Sequence, residues 1–272
     1  MFYSLKSFLY TCTITSSLVL IPVNSHADTI NSKAYAVFDI SNNKLIDCKN
    51  EKQRLPIASI TKLMTAMVTL DNNPDLEEII TITQDDVDTL LHTTSRLSVG
   101  TQLTRREALN LALMSSENRA ASALARHYPG GKKAFIRAMN TKARKIQMKS
   151  AQFFDSTGLD ARNQATAKDL IQLVNHSKNY SLIHMFTTTD AKDFTFNNKD
   201  LHYVNTNPLI RLNNPNWNIE LSKTGYTQKA GKCIVLLSEI NGKKYIISLL
   251  GSKSKESRLQ DLATLKEKIK DS

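Results

Sequence analysis

Three short patterns in this chain could do chemistry together, although each is weak alone. In Leu55-Pro56-Ile57-Ala58-Ser59-Ile60-Thr61-Lys62, a serine stands three residues before a lysine at the start of an apolar helical stretch. That spacing sets both side chains on one helix face, within reach of a hydrogen bond. A serine hydroxyl is a weak nucleophile until a neighbouring base takes its proton, and an uncharged lysine amine can be that base. The serine N–H also lies at a helix N-terminus, where unpaired donors favour a developing oxyanion. Ser-x-x-Lys recurs at Ser41 and Ser252, but both copies read as polar turns, where nothing would desolvate the lysine.

The second pattern, Ser116-Glu117-Asn118, lies 57 positions after Ser59, where one predicted helix ends and the next begins. Ser-x-Asn also occurs at Ser41 and Ser177, and Ser116 would serve equally well as the N-cap of the following helix. The third, Lys223-Thr224-Gly225, occurs once, 107 positions after Ser116, at the end of an alternating strand. An unpaired lysine followed by a hydroxyl and a glycine suits a carboxylate lying along a strand edge. An exposed strand end with a turn glycine is the plainer alternative. The order and setting of the three carry weight that none has singly.

These residues need elements to hold them. Residues 34–40 and 45–49 read as two strands joined by the turn Ser41–Lys44. From Ser59 to about Phe186 the apolar period is helical, with helices predicted at 60–70, 104–114, 118–128, 132–146 and 167–175, and Pro129-Gly130-Gly131 as a stop. Strands return at 218–223, 232–240 and 243–250, the last pair joined by Asn241-Gly242, the strongest short hairpin signal. A closing helix follows at 257–269. Strands, then helices, then strands predicts one sheet built from both chain ends with a helical lobe inserted between them.

The first 27 residues read as a secretory signal peptide. Lys6 is followed by a mostly apolar run from Phe8 to Val23 and the small-x-small site Ser25-His26-Ala27, with cleavage expected after Ala27. Its threonines and serines, and its length below the ~20 apolar residues of a spanning helix, argue against a membrane anchor. The chain carries 36 Lys+Arg against 25 Asp+Glu, net +11. Removing Lys6 with the signal leaves 11 − 1 = +10, a balance that favours anionic polymers. The basic residues form no stripe interleaved with aromatics, and export makes nucleic acid the least expected of these partners. Three cysteines rule out a disulfide scaffold and a Cys₄ zinc site. His92, His127, His176, His184 and His202 have no close ligand spacing, so neither a metal nor a cofactor is expected.

With these motifs in hand, the chain resembles the serine D-Ala-D-Ala peptidases among the low-molecular-mass penicillin-binding proteins, whose patterns are Ser-x-x-Lys, Ser-x-Asn and Lys-Thr-Gly in that order. The likeness spans nearly the whole chain after Ala27. It is closest to the D-alanyl-D-alanine endopeptidase branch at Leu55–Met67, Leu111–Ala125, Tyr128–Asn140, Thr157–Leu159 and Trp217–Gly225. Glu117 in the middle motif also follows that branch, where carboxypeptidases commonly carry glycine. The resemblance implies a mixed α/β (α+β) penicillin-binding/β-lactamase-like fold, with a five-stranded antiparallel sheet flanked by helices and an all-α lobe. The peptidase domain would run over 28–272, the sheet lobe over about 28–58 and 216–272 and the helical lobe over about 59–215.

The resemblance also implies roles. Ser59 would be the acyl-enzyme nucleophile and Lys62 its general base, depressed in pKa by burial and by the charge of Lys223. Ser116 would relay a proton to the leaving amine, and Asn118 would hold the substrate backbone. Lys223 and Thr224 would bind a carboxylate, Gly225 would allow close approach, and the N–H groups of Ser59 and Tyr226 would form the oxyanion hole. Partners would be peptidoglycan stem peptides, with β-lactams as covalent inhibitors, in the periplasm and without a stable membrane anchor. Carboxypeptidase action is the alternative, although the extra β-domain and anchoring helix common among carboxypeptidases are not expected here. A class A β-lactamase would need a glutamate after the second motif, and Glu220 is the only one between Asn118 and Lys223. A catalytically silent wall-binding or β-lactam-sensing module is disfavoured by the intact Ser59–Lys62 pair. In the family sheet Cys48 and Cys233 would lie ~14 Å apart, too far to bridge, so two unpaired, buried thiols are expected.

Overall fold

The computed structural model describes residues 29–271, so the proposed signal peptide lies outside the described residues. In chain order the elements begin with β1 (Ala34–Asp39), β2 (Lys44–Lys49), the short β3 (Leu55–Pro56), a 3-10 turn at Ala58–Ile60 and α1 (Thr61–Asp71). Then come β4 (Ile79–Thr81), β5 (Gln102–Thr104), α2 (Arg105–Met114), α3 (Asn118–Arg126), α4 (Gly131–Lys145), β6 (Gln164–Ala165), α5 (Ala167–Ser177) and α6 (Ser181–Thr188). The hairpin β7 (Ala191–Phe196) and β8 (Lys199–Val204), a short α7 (Pro208–Arg211), β9 (Asn218–Thr227), β10 (Gly231–Ile240), β11 (Lys243–Ser252) and α8 (Lys255–Lys270) complete the chain.

The main sheet is antiparallel with order β2-β1-β11-β10-β9, so the two chain ends meet at the β1–β11 pairing. Alternation along β10 and β11 sends side chains to two covered faces. Ile234, Leu236, Ile247 and Leu249 pack under Leu262 and Leu265 of α8, while Val235, Leu237 and Ile246 join the larger core with the helices of the insertion. The sheet is closed across its ends by Asp261 of α8, which accepts the N–H groups of Asn31 and Ser32, both at 2.8 Å. Asn241 and Gly242 turn the β10–β11 hairpin with φ of 50° and 74°, the left-handed pair that a type I′ turn requires.

The helices start where their caps are. Thr104 and Glu107 form a reciprocal capping box at α2, and Thr166 and Asp169 do the same at α5. Helix α1 is buried from Thr61 to Thr69 and forms the spine of the insertion. The insertion also carries the two-stranded ladders β3–β6, β4–β5 and β7–β8. The last is absent from the sequence reading, yet Phe194 and Phe196 stack at 5.6 Å on its buried side and Asn197-Asn198 turn it at φ 50° and 59°. No helix among the described residues is long and apolar enough to cross a membrane.

Candidate active site

Ser59 sits in the 3-10 turn that feeds α1, so the nucleophile candidate and Lys62 occupy successive turns of one continuous helical run. Lys62 is fully buried. Its ammonium donates to Ser59 Oγ at 2.9 Å, Asn118 Oδ1 at 2.8 Å and the Thr157 carbonyl at 2.7 Å. Burial pushes its pKa down to about 8, against the pull of the Asp155 and Glu117 carboxylates, which hold it up. At pH 7 about one molecule in ten then carries a neutral amine. Such an amine keeps two protons and one lone pair. Asn118 Oδ1 and the Thr157 carbonyl can only accept, so they take the two protons and the lone pair is left facing Ser59.

Those two acceptors are themselves fixed. Asn118 Nδ2 donates to Thr93 Oγ1 at 3.0 Å, and Thr93 Oγ1 donates to Asp88 Oδ2 at 2.8 Å, which sets the Asn118 amide with its oxygen toward Lys62. Thr157 lies in a loop wound around Asp155, whose carboxylate accepts from Thr157 N, Thr157 Oγ1, Gly158 N, Asp160 N and Asn163 Nδ2. Asn163 in turn donates to Thr61 Oγ1 on α1. Sequence reasoning missed Asp88, Thr93, Asp155 and Asn163. The Asp-Ser-Thr-Gly run at 155–158 is a turn signal that could have marked the loop.

Two glycines clamp the nucleophile's backbone. A Cβ on Gly158 would stand 1.9 Å from the Ala58 carbonyl oxygen, and one on Gly225 would stand 2.8 Å from the Ile57 carbonyl oxygen and 3.1 Å from Ser59 N. Between them Ala58 holds φ +48°, a left-handed conformation that costs an L-residue ~1–2 kcal/mol. Gly225 is therefore a close-approach residue inside a strand. The Lys-Thr-Gly run is not a strand end as the pattern suggested, because β9 continues to Thr227 as the edge of the main sheet.

Lys223 is 1% exposed and donates only to the Thr224 carbonyl, at 3.1 Å, so two ammonium protons remain for an anion. Burial, then the charges of Lys62 and Arg258, hold its pKa well below the usual lysine value. Lys62 is depressed by burial, the first of the two causes expected for it. Thr224 Oγ1 donates to Thr206 Oγ1 at 2.7 Å. Ser116 adopts φ +63° at the approach to α3. It does not cap α3: that position belongs to Glu117, whose side chain accepts Arg119 N at 3.1 Å. Tyr226 is exposed, with Lys232 over its ring.

The other candidates fall away from this centre. Ser252 is buried at the end of β11, not in a polar turn, and bonds Ser32 Oγ at 2.7 Å. Glu220 pairs with Lys244 at 2.8 Å. Cys48 and Cys233 are both free, but Cys48 is exposed, contrary to expectation. It lies on the outer strand β2, where alternation turns it to solvent. No group of three His, Cys, Asp or Glu gathered to hold a metal occurs among the described residues.

The chain is similar to known proteins in both sequence and fold. A family model described as D-alanyl-D-alanine carboxypeptidase matches residues 22–254. A D-alanyl-D-alanine endopeptidase of Pseudomonas aeruginosa is 43% identical over 232 residues, covering 85% of this chain and 74% of the relative. One from Escherichia coli is 41% identical, covering 87% and 76%. Among solved structures the Streptomyces K15 DD-transpeptidase superposes with a TM-score of 0.80 at 25% identity, over 88% of this chain and 97% of that one.

Proposed function

This chain belongs to the D-alanyl-D-alanine carboxypeptidase family of serine peptidases, and we propose that it is an endopeptidase cutting D-Ala cross-links between the stem peptides of peptidoglycan. The observation that carries the chemistry is the buried Lys62 amine, held by Asn118 and Thr157 with its third position on Ser59 Oγ at 2.9 Å. Ser59 attacks the D-Ala carbonyl as neutral Lys62 takes its proton. The N–H groups of Ser59 and Tyr226 receive the oxyanion, and Lys223 with Thr224 holds the carboxylate on the leaving residue. Lys62 returns the proton to the departing amine by way of Ser116. Water then releases the acyl group from Ser59.

A β-lactam offers the same carbonyl and carboxylate, so it would acylate Ser59 and stay there while deacylation is slow. The substrate preference is supported by the names of the relatives more than 40% identical and by Glu117 in the middle motif. An export signal over residues 1–27 would deliver the enzyme to the periplasm, with the peptidase domain beginning at Asp28. Basic charge would concentrate it on carboxylate-bearing wall, an attraction that salt weakens. Purified dimeric muropeptides should yield monomers, and Ser59→Ala should abolish the reaction. Release of free D-Ala from pentapeptide with dimers left intact would make the enzyme a carboxypeptidase instead.

A further inference from the structure

The geometry points to a second subsite, beside Thr224, that takes the side chain of the residue being released. It rests on the endopeptidase reading and gives a physical reason for it. Thr206, the hydrogen-bond partner of Thr224 at 2.7 Å, also lines an open cavity of about 400 Å³, together with Glu117, Tyr203, Arg96 and Arg211. The cavity thus touches the middle motif through Glu117 and the third motif through Thr206.

Its direction follows from the order of residues along β9. Lys223 and Thr224 come first, then Gly225 against the backbone of Ser59, then Tyr226 and Thr227. A peptide with its carboxylate at Thr224 and its carbonyl at Ser59 has its leaving residue on the Lys223–Thr224 side and its acyl residues toward Thr227. The cavity beyond Thr206 therefore faces the leaving residue.

The groups inside are not those an apolar methyl needs. Glu117 is 9% exposed and contributes a carboxylate that otherwise serves only Arg119 N. Tyr203 is 3% exposed, and its hydroxyl has no hydrogen-bond partner among the described residues. Two guanidinium groups stand at the mouth: Arg96 lies over the Tyr203 ring at 3.8 Å, and Arg211 donates to the Asn205 carbonyl at 3.3 Å. Both arginines are exposed.

A terminal D-Ala would send only a methyl group in this direction and leave all four side chains unused. A cross-linking diamino dicarboxylic acid differs in one respect. Its reacting amine sits on a carbon that also bears a carboxylate, so that carboxylate occupies Lys223 and Thr224 as D-Ala's would. A methylene chain then leads onward to a second peptide with amide N–H groups and further carboxylates. The N–H groups suit Glu117, the carboxylates suit Arg96 and Arg211, and the chain has room in the cavity. The subsite thus distinguishes a cross-link from a peptide end.

The test compares two substrates on one enzyme, a cross-linked muropeptide dimer and a pentapeptide ending in D-Ala-D-Ala, with Ser59 acylation by penicillin as the control for an intact site. In Arg211→Gln combined with Arg96→Gln, kcat/KM on the dimer should fall by about tenfold through KM, the loss of a charge-assisted hydrogen bond. D-Ala release and acylation should be unchanged, and Arg211→Lys alone should keep most of the dimer activity. Equal losses on both substrates, or none on the dimer, would overturn the subsite while leaving the endopeptidase assignment standing. A wild-type enzyme that releases D-Ala but never cuts dimers would bring down the assignment and the subsite together.

Discussion

Lys62 shows how a single residue can be costly to the fold and necessary to the chemistry. Its pKa falls from 10.5 to about 8 because burial disfavours the ammonium. Below pH 8 both the folded and unfolded chains carry the proton, and the fold bears the whole cost of burying it. Between about 8 and 10.5 the unfolded chain binds more protons than the folded one, so stability should rise across that window by ~3 kcal/mol from this group. The rate of penicillin acylation should rise about tenfold per pH unit below 8 and level off above it, as the neutral amine becomes the main form. Timed labelling between pH 6 and 9.5 checks this, and a flat profile would exclude Lys62 as the base. Lys62→Ala should lose ~10²–10⁴-fold in acylation, and Ser59→Ala should stay folded and take no label. Thr93 acts one step removed by holding Asn118 in the right orientation. Thr93→Val should slow acylation by up to about tenfold, one neutral hydrogen bond's worth, and Thr93→Ser should restore the rate because it keeps the hydroxyl.

At the scale of elements, the site is a meeting of three backbones: the turn before α1, the Asp155 loop and the edge strand β9. Gly158 and Gly225 set how closely they meet. Gly158→Ala would drive a methyl into the Ala58 carbonyl, 1.9 Å away, at a position with φ +84°. Overpacking and left-handed strain together should cost ~2–4 kcal/mol. The displaced Ser59 should lose about 10²-fold in acylation even in molecules that remain folded. Thermal unfolding and penicillin labelling of the same variant separate the two effects. Normal acylation in Gly158→Ala would mean that the clamp does not position the nucleophile.

Over the whole molecule, sheet order decides what the cysteines can do. Cys48 on β2 and Cys233 on β10 are three strand positions apart, ~14 Å, so no bridge forms without breaking the sheet. Cys233 is wholly buried, and burial pushes its thiol up to about 11, whereas Cys48 faces solvent. A thiol reagent should therefore modify one cysteine in the native protein, Cys48, and reach Cys233 only on unfolding. Mass spectrometry after native and denaturing labelling reads this directly.

The sequence alone determined the elements whose signals are local. The hairpin turns, the capped helices and the Ser59–Lys62 spacing all depend on neighbours a few residues apart, where propensity and periodicity act. The short ladders and the β7–β8 hairpin escaped because their strands are brief and mostly exposed, which weakens the alternation that marks a strand. Ser116 was legible as a motif residue, but whether it caps α3 turned on a backbone angle. Only the tertiary structure brought Asp155, Asn163, Thr93 and Asp88 to the site, because each acts through a hydrogen bond to a segment distant in sequence. It also decided which cysteine meets solvent, because burial is a property of the packed chain.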